Sequence, residues 1–286
     1  MKSAFAHREL VAEIMCSLRD QEKVLTCPLC ESKSFGLRFE PDVCQCMTCD
    51  VLFRNPRPTQ AAIIRSYDAG VTYSRWQKEL DIRDRLWRKR LDLLKKRKRS
   101  GSLLDIGTGD GLFLSYASES FEVDSTEISV CGATYARQRG FDPAIGDFLH
   151  LPLEDASYDV ITLWHVLEHL PAPGLVLQKI RRLLKPDGIV AIAVPNEWYN
   201  LIMNARKPNP FGLLTWGEEL HLMHFLPGTL RRYLTTNRFK VLEFGVDDVH
   251  VDRPLSTRLC FHAARLLNRL IGWHFDKAMY FILALA

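Results

Sequence analysis

One short segment constrains the fold of this 286-residue chain more than any other: an apolar strand that runs directly into three closely spaced glycines. The segment Leu103-Leu-Asp-Ile-Gly-Thr-Gly-Asp-Gly111 begins with the apolar run, and a helical pattern starts at Phe113. Glycines at such a point allow a sharp turn and a close approach of a ligand to the backbone. The segment therefore predicts a strand, a ligand-binding turn and a helix, which together open an α/β fold.

Further apolar runs follow in the same region, and helical patterns separate them. We expect strands at Phe121–Ser125, Asp159–Trp164 and Ile189–Val194. Strands that alternate with helices form a mostly parallel sheet with helices on both faces. Ligands then bind beyond the carboxyl ends of the strands, where the three glycines lie.

Acidic residues near the glycines indicate the kind of ligand. Asp105 precedes the first glycine by two residues, where a carboxylate repels a pyrophosphate but attracts an ammonium group. This favours S-adenosylmethionine (SAM) over a nicotinamide dinucleotide. Glu127 follows the second expected strand and can accept two hydrogen bonds from a ribose diol, while Asp147 can accept from an adenine amino group. The cofactor-binding residues predicted from this region are Asp105, Gly107, Gly109, Gly111, Glu127, Asp147 and Phe148.

These motifs resemble those of the class I SAM-dependent methyltransferases. The motifs that carry the resemblance are LLDIGTGDG at 103–111, EIS at 127–129, GD at 146–147, SYDVITLWHVLEHL at 157–170 and LKPDGIVAIAVPN at 184–196. The resemblance covers essentially residues 101–254. It is specific for the class of cofactor and hardly specific for the acceptor.

The resemblance implies an α/β fold with a Rossmann-like seven-stranded sheet whose last strand runs antiparallel. We assign that last strand to the apolar run at 278–286. By the same resemblance, Asp105 and the glycines face the methionine part of SAM, Glu127 faces the ribose, and Asp147 and Phe148 face the adenine. Asp110 departs from the family's pattern, and we expect it to point to solvent.

Four cysteines predict a metal site near the N-terminus. Cys27-Pro-Leu-Cys30 and Cys46-Met-Thr-Cys49 are two C-x-x-C hooks with fifteen residues between them. This spacing is typical of a structural zinc site with a closed shell of four thiolates. Cys44 suits a strand before the second hook better than a ligand position, and its role stays open. A similar zinc ribbon, followed by a helical cap, recurs in one branch of the methyltransferase family.

The expected location is cytoplasmic. We find no stretch of about 18 apolar residues that could form a transmembrane helix. Charged residues interrupt the apolar residues at 4–18, so the N-terminus predicts an amphipathic helix and not a signal peptide. A reducing compartment also favours a metal site over disulfides for the clustered cysteines.

These patterns divide the chain into four parts. The expected parts are an N-terminal helix at 1–22, a zinc ribbon at 23–56, a basic helical cap or linker at 57–100 and a SAM-binding methyltransferase domain at 101–286. Within the last part, we expect a substrate loop at 196–226. An amphipathic insertion at 255–273 is either a helix on the domain or a helix in peripheral contact with a membrane.

The cap ends in a dense basic run. Ten Lys or Arg and two Asp lie between Arg83 and Arg99, with Leu and Trp at helical spacing among them. We interpret the run as a solvated basic face on a helix that packs through its apolar stripe. The alternatives are a patch that binds phosphates or one that contacts an anionic membrane surface.

Histidines are the candidate catalytic residues. His165 follows an expected strand, and we predict that it lines the cofactor pocket; His165-Val-Leu-Glu-His169 also matches a metallopeptidase motif, an interpretation that its position after the strand disfavours. We predict that His169 is structural. His221, in the substrate loop, is the preferred general base, with a structural histidine as the alternative. Tyr67 and Tyr73 in the cap either close over the cofactor or are packing aromatics.

The expected activity is SAM-dependent methyl transfer to a small-molecule, sugar or glycan, or lipid-linked acceptor, on oxygen or alternatively on carbon. Fold does not determine the substrate, so two rival hypotheses stay open. One is an RNA methyltransferase that grips phosphates with the ribbon and the basic helix. The other is an inactive methyltransferase domain that serves as a binding module.

Overall fold

The computed structural model describes residues 20–39, 42–78, 80–203, 220–247 and 277–286. The amphipathic insertion predicted at 255–273, nearly all of the N-terminal helix predicted at 1–22 and residues 204–219 of the predicted substrate loop lie outside the described residues.

Strands and helices alternate through most of the described chain. The strands are β1 (Gln21–Glu22), β2 (Phe35–Phe39), β3 (Val43–Cys46), β4 (Leu52–Arg54), β5 (Arg57–Pro58), β6 (Ser102–Ile106), β7 (Glu122–Glu127), β8 (Ala144–Ile145), β9 (Tyr158–Trp164), β10 (Leu184–Pro195), β11 (Met223–His224), β12 (Phe239–Val246) and β13 (Ala278–Leu285). The α-helices are α1 (Gln60–Asp68), α2 (Val71–Trp76), α3 (Leu80–Lys95), α4 (Leu112–Ala117), α5 (Val130–Gln138), α6 (Pro173–Leu183), α7 (Glu197–Met203) and α8 (Pro227–Thr236). Short 3-10 helices span Phe148–His150 and Leu167–His169.

The large sheet has seven strands in the order β12–β13–β10–β9–β6–β7–β8. Its central strands β6, β7, β9 and β10 run parallel, and β13 runs antiparallel between β10 and β12. The predicted Rossmann-like sheet and its antiparallel last strand are confirmed. β13 is apolar along its length because it lies inside the sheet, with Met279, Phe281 and Leu283 fully buried.

Each face of the sheet is covered by apolar side chains that alternate along the strands. Leu104 and Ile161 face the cluster that includes α6, α8 and the ribbon. Leu103 and Val160 face a second cluster, which includes Leu91, Leu93 and Leu94 of α3. The expected apolar stripe of the basic helix therefore packs on the seven-stranded sheet. Among the residues that the structure describes, no helix has both the length and the apolar character needed to cross a bilayer.

The cysteine-rich piece is completed by a strand from the C-terminal half of the chain. It forms a four-stranded sheet in the order β11–β4–β3–β2, and β11 comes from the C-terminal half of the chain. Met223 pairs with Phe53, and the hydroxyl of Tyr233 donates to the carbonyl oxygen of Leu29 at 2.7 Å. The ribbon is thus built partly from residues of the expected substrate loop.

Candidate active site

A cavity of about 400 Å³ lies beyond the carboxyl ends of β6, β7 and β9, beneath α1, α2 and α3. It is lined by Gln60, Ile63, Tyr67, Thr72, Tyr73, Trp76, Arg83, Leu86, Trp87, Arg90, Ile106, Gly107, Gly109, Thr126, Glu127, Ile128, Gly146, Asp147, Phe148, Trp164, His165, Val166, His169, Leu170 and Pro171. Its volume lies in the range of sites for cofactors and drug-sized ligands. The position agrees with the place predicted from the glycine motif.

The glycine loop forms one wall. Gly107 and Gly109 have φ angles of +71° and +59°, which L side chains rarely adopt. A Cβ at Gly109 would lie 2.8 Å from the ring of Trp76, so only glycine lets the cap approach this closely. Gly111 packs against Ala136 and is not among the lining residues. The ring of Trp76 in the cap therefore packs directly on the backbone of the glycine loop.

Glu127 holds the glycine loop and also faces the cavity. One carboxylate oxygen accepts from the backbone N–H of Gly109 at 2.7 Å, and the other accepts from the backbone N–H of Ser129 at 3.0 Å. The residue is 5% exposed, and burial raises the pKa of its carboxyl group. A carboxylate has further lone pairs, so it can still accept from a ligand hydroxyl.

Asp105 lies buried at the end of β6 and is not among the lining residues. Its Oδ1 accepts from the hydroxyl of Thr162 at 2.5 Å. Burial raises the pKa of this carboxyl group to about 7, although the hydrogen bond from Thr162 opposes that shift. The protonation state of Asp105 therefore changes near neutral pH.

We expect the affinity for SAM to fall as the pH is lowered from about 8 to about 6, because an ammonium group attracts the carboxylate and not the protonated acid. Calorimetric titrations with SAM across that range test this. Asp105→Asn should bind SAM with a flatter pH dependence. If the wild-type affinity does not change with pH, Asp105 does not interact with the ammonium group of SAM.

Asp147 and Phe148 stand at the other end of the cavity. Asp147 begins the 3-10 helix by accepting from the N–H of Leu149 at 3.0 Å. Its second oxygen accepts from the side-chain amide of Gln60, in α1, at 3.0 Å. Both residues line the cavity at the predicted place, and the cap reaches this end through Gln60.

The prediction that Asp110 points to solvent is wrong. Its side chain is fully buried and forms a two-point ion pair with Arg83 of α3, with both N···O distances at 2.7 Å. Gln77 also donates to it at 3.0 Å. Burial alone would raise the pKa of Asp110, but the contacts with Arg83 lower it below its ordinary value. The acidic departure from the family's pattern is therefore the anchor of the cap.

We expect Asp110→Asn to destabilise the chain by about 3 kcal/mol, since it leaves the guanidinium of Arg83 without its buried charge partner. Because the native pKa is lowered, the ion pair stabilises the fold above about pH 4 and is lost as the pH falls through the native pKa. Chemical denaturation at neutral and acidic pH measures both effects. Asp142→Asn is the control, because Asp142 pairs with Arg137 at the exposed surface; equal losses would contradict the anchor.

His165 lines the cavity directly after β9, with a φ of +57°. Its Nε2 lies 3.2 Å from Asp247, and its Nδ1 lies 3.3 Å from Glu168. Burial alone would lower its pKa, but the two neighbouring carboxylates, Asp247 first, raise it to about 9. His165 lines the cavity as predicted, and a pKa this high favours its protonated form at neutral pH, which does not suit a general base.

The basic run is not uniformly a solvated face. Arg90 is buried, pairs with Asp247 at 2.5 Å and stacks between the rings of Trp87 and Trp164. Arg83 also turns inward, to the Asp110 anchor described above. A separate groove of about 540 Å³ lies beside α3, where Asp247 and Tyr280 also line it. The other basic residues that line this groove are Arg85, Arg88, Lys89 and Lys96.

The two remaining histidines exchange their predicted places. His169, predicted to be structural, lines the cavity. His221, predicted to be the base, does not line the cavity; its ring meets that of His169 edge to face, with the centroids 4.9 Å apart. Burial lowers the pKa of His221 well below its ordinary value. His221 is absent from the cavity wall because β11, two residues further along the chain, pairs with β4 of the ribbon.

The cap contributes residues that sequence reasoning missed. Tyr67 and Tyr73 line the cavity as expected, but so do Trp76, Leu86 and Trp87. The available signal was large apolar residues within strongly charged helices. The indole N–H groups of Trp87 and Trp164 have no hydrogen-bond partner within the described ranges.

The four hook cysteines meet in one cluster, and Cys44 is not part of it. The sulfurs of Cys27 and Cys49 lie 3.7 Å apart, and those of Cys30 and Cys46 lie 3.6 Å apart. Zn–S bonds of about 2.3 Å in a tetrahedron place sulfurs about 3.8 Å apart, so the donor set fits zinc.

The turns of the two hooks repeat each other. Glu31 and Asp50 each follow a hook with a φ of +60°. Their N–H groups donate to the carbonyl oxygens of Cys27 and Cys46, at 2.9 and 3.0 Å. This is the tight turn expected after each hook.

The family described as "Methyltransferase domain" matches residues 78–244, which is more than half of the chain. A demethylmenaquinone methyltransferase of Lactobacillus johnsonii is 31% identical over 100 residues, covering 33% of this chain and 41% of the relative. A ubiquinone biosynthesis O-methyltransferase of Caulobacter vibrioides is 34% identical over 138 residues, covering 45% and 50%. The matches thus span about half or less of the length of these relatives.

Solved structures share the fold. A SAM-dependent methyltransferase from Archaeoglobus fulgidus has a TM-score of 0.52 at 19% identity, covering 74% of this chain and 98% of that one. A SAM-dependent methyltransferase from Methanosarcina mazei has a TM-score of 0.50 at 18% identity, covering 68% and 98%. At this identity the likeness concerns the fold alone.

Proposed function

Since this chain belongs to the class I SAM-dependent methyltransferase family, we propose that it transfers a methyl group from SAM to a hydroxyl oxygen of a small acceptor with an apolar or aromatic body. The observation that carries the proposal is one cavity, which the glycine loop, Glu127 and Asp147 line together with an aromatic cap. SAM, when bound, supplies a methyl group on a sulfonium that is a good leaving group.

The chain's own residues bind and orient the cofactor. Glu127 accepts from the ribose diol while its bonds to the loop keep the carboxylate in place. Asp105 attracts the ammonium group from beneath the loop, and Asp147 and Phe148 recognise the adenine. Such fixed donors and acceptors contribute by positioning, which is the main requirement of a methyl transfer.

The cap determines what kind of acceptor enters. Tyr67, Tyr73, Trp76, Leu86 and Trp87 enclose the cavity from the cap side. Flat aromatic walls favour a flat or apolar acceptor and exclude water from the transfer. The names of the curated relatives support this class, since two of them are methyltransferases of quinone biosynthesis. Sugar, glycan and lipid-linked acceptors remain within the proposal where they present an apolar portion.

His169 is the candidate base for the acceptor hydroxyl. Its Nδ1 lies 2.7 Å from the carbonyl oxygen of Leu220 and donates to it, so its Nε2 has a free lone pair. It lines the cavity, whereas His221 does not and His165 is protonated. The proposed base is therefore His169, whose ring contacts that of His221, the base predicted from the sequence.

The four-cysteine cluster binds a structural zinc ion in this proposal. A closed shell of four thiolates leaves no open position for an acceptor, so the ion contributes stability. Cys27, Cys30, Cys46 and Cys49 supply the ligands, and their spacing supports this assignment. Through β11 the ribbon also fixes the segment that carries His221.

A second candidate function, methylation of RNA, draws support from the basic groove on α3. Arg85, Arg88, Lys89 and Lys96 could contact phosphates there. Two arguments make it the weaker reading. Arg83 and Arg90 are committed to buried ion pairs, and the aromatic cap covers the cavity that a nucleotide of a polymer would have to enter.

The acceptor class is tested with methyl-labelled SAM and a cell extract. We expect label in the organic-soluble or small-molecule fraction with the wild-type protein, and at least about tenfold less with Glu127→Ala at a subsaturating concentration of SAM. Label in a nuclease-sensitive polymer would overturn the small-molecule acceptor and make α3 an RNA contact. No label in any fraction, with SAM bound, would favour the inactive binding module.

A further inference from the structure

A second group of potential metal ligands lies beside the cavity and contains no cysteine. Glu168, His169 and His221 offer ligand atoms that all lie within 4.8 Å of one another. Glu168 is 1% exposed and His221 is 9% exposed, so the group is nearly closed to bulk water. Glu168 and His169 are consecutive in a 3-10 helix, and His221 approaches from the segment before β11.

The carboxylate of Glu168 lacks hydrogen-bond donors. Neither of its oxygens accepts a hydrogen bond within the described ranges. His165 Nδ1 lies 3.3 Å from it and His169 Nε2 lies 3.9 Å from it. The ring of His165 lies between the carboxylates of Glu168 and Asp247, at 3.3 and 3.2 Å. A buried carboxylate without donors is destabilising, and a bound cation would offset that cost.

The orientation of His169 is that of a metal ligand. Its Nδ1–H donates to the carbonyl oxygen of Leu220 at 2.7 Å, which leaves the lone pair of Nε2 on the side of Glu168. Histidines that bind metals usually donate their other ring N–H to a carbonyl or carboxylate in this way. The bond fixes both the tautomer and the direction of the ring.

His221 is held in place from behind. The backbone carbonyl of His221 accepts from Nε of Arg54 at 3.1 Å, and the N–H of Leu222 donates to the carbonyl oxygen of Glu168 at 2.8 Å. Its ring Nδ1 has no hydrogen-bond partner within the described ranges. The nearest carboxylate oxygen to Nδ1 is that of Glu197, at 3.9 Å. The backbone bonds therefore join the segment of His221 to that of Glu168.

We propose that Glu168, His169 and His221 bind a divalent transition-metal ion, in a site separate from the four-cysteine cluster. Two imidazoles and one carboxylate, with open positions, suit first-row transition metals, whereas the cluster's four thiolates suit zinc. Bonds of about 2.0–2.2 Å place ligand atoms about 3–3.5 Å apart, so binding needs side-chain shifts on the order of 1 Å. His169 also lines the cavity, so the ion lies beside the acceptor space. The ion would bind the same Nε2 lone pair that serves as the proposed base, so the two roles of His169 belong to alternative states of the site, metal-loaded and metal-free.

Calorimetric titration of the zinc-replete, full-length chain with Co²⁺ tests the site. We expect one equivalent of Co²⁺ to bind beyond the zinc of the ribbon, and to raise the melting temperature. Glu168→Gln and His221→Asn should weaken that binding by about tenfold or more. His150→Asn is the matched control, because its side chain is 83% exposed and lies outside the group.

The visible spectrum of the wild-type complex decides the matter even if both variants fail to fold. Absorption of Co²⁺ bound to nitrogen and oxygen, with zinc retained, supports the site. Three results would overturn it. The wild-type chain binds no Co²⁺ beyond the zinc of the ribbon; Co²⁺ releases the zinc and gives a thiolate charge-transfer band; or both variants fold and bind Co²⁺ as tightly as the wild type. None of these readouts involves SAM, so the result is independent of the proposed activity.

Discussion

Replacing Glu127 with alanine is expected to weaken SAM binding by about 1.5–3 kcal/mol, which corresponds to roughly 10-fold to 150-fold in affinity. Two contributions combine in this effect. The variant removes the acceptor for the ribose hydroxyls, and it leaves the N–H groups of Gly109 and Ser129 without their partner. Calorimetric titration with SAM measures the loss, and circular dichroism confirms that the chain stays folded.

Two further variants separate these contributions. Glu122→Ala, on the same strand but exposed, should leave the affinity for SAM unchanged. Glu127→Gln keeps one oxygen for the N–H of Gly109 and should retain more of the loop than Glu127→Ala does. Wild-type affinity in Glu127→Ala would show that the ribose binds elsewhere.

Replacing Cys27 with serine is expected to release zinc and to destabilise the chain by about 4 kcal/mol or more, the scale for loss of a structural metal. The loss should spread beyond the ribbon. β11 of the C-terminal half pairs with β4, and Tyr233 of α8 donates to Leu29 inside the first hook. Metal analysis and thermal denaturation of the same preparation measure both effects.

Cys44→Ala is the matched control for the zinc site. Cys44 lies buried in β3 within the same ribbon but outside the four-sulfur cluster. Its loss should cost only the packing of one small side chain and leave one zinc per chain. A Cys27→Ser protein that stays folded and metal-replete would remove the ribbon's zinc from the account.

The sequence predicted the sheet well because its signal is local. Each buried strand is a short apolar run, and β6, β9, β10 and β13 lie where those runs stand. The same holds for the glycine loop and the four cysteines, whose spacing carries the chemistry. The placement of Glu127 and Asp147 on the cavity wall followed from their positions after strands.

The errors share one physical cause, which is contact between residues far apart in the sequence. Asp110 was expected in solvent because its partner, Arg83, belongs to a charge run that is typical of an exposed helix. His221 was predicted at the cavity because nothing local indicates that β11 pairs with the ribbon. Local periodicity reports burial and secondary structure but not which distant element covers a given side chain.

The central claim is that SAM binds in the cavity between the glycine loop and the aromatic cap. Calorimetric titration of the purified chain with SAM tests it most directly. We predict one SAM per chain, with an affinity that falls sharply in Glu127→Ala and stays unchanged in Glu122→Ala. No binding at millimolar SAM by the folded, zinc-replete chain would contradict it.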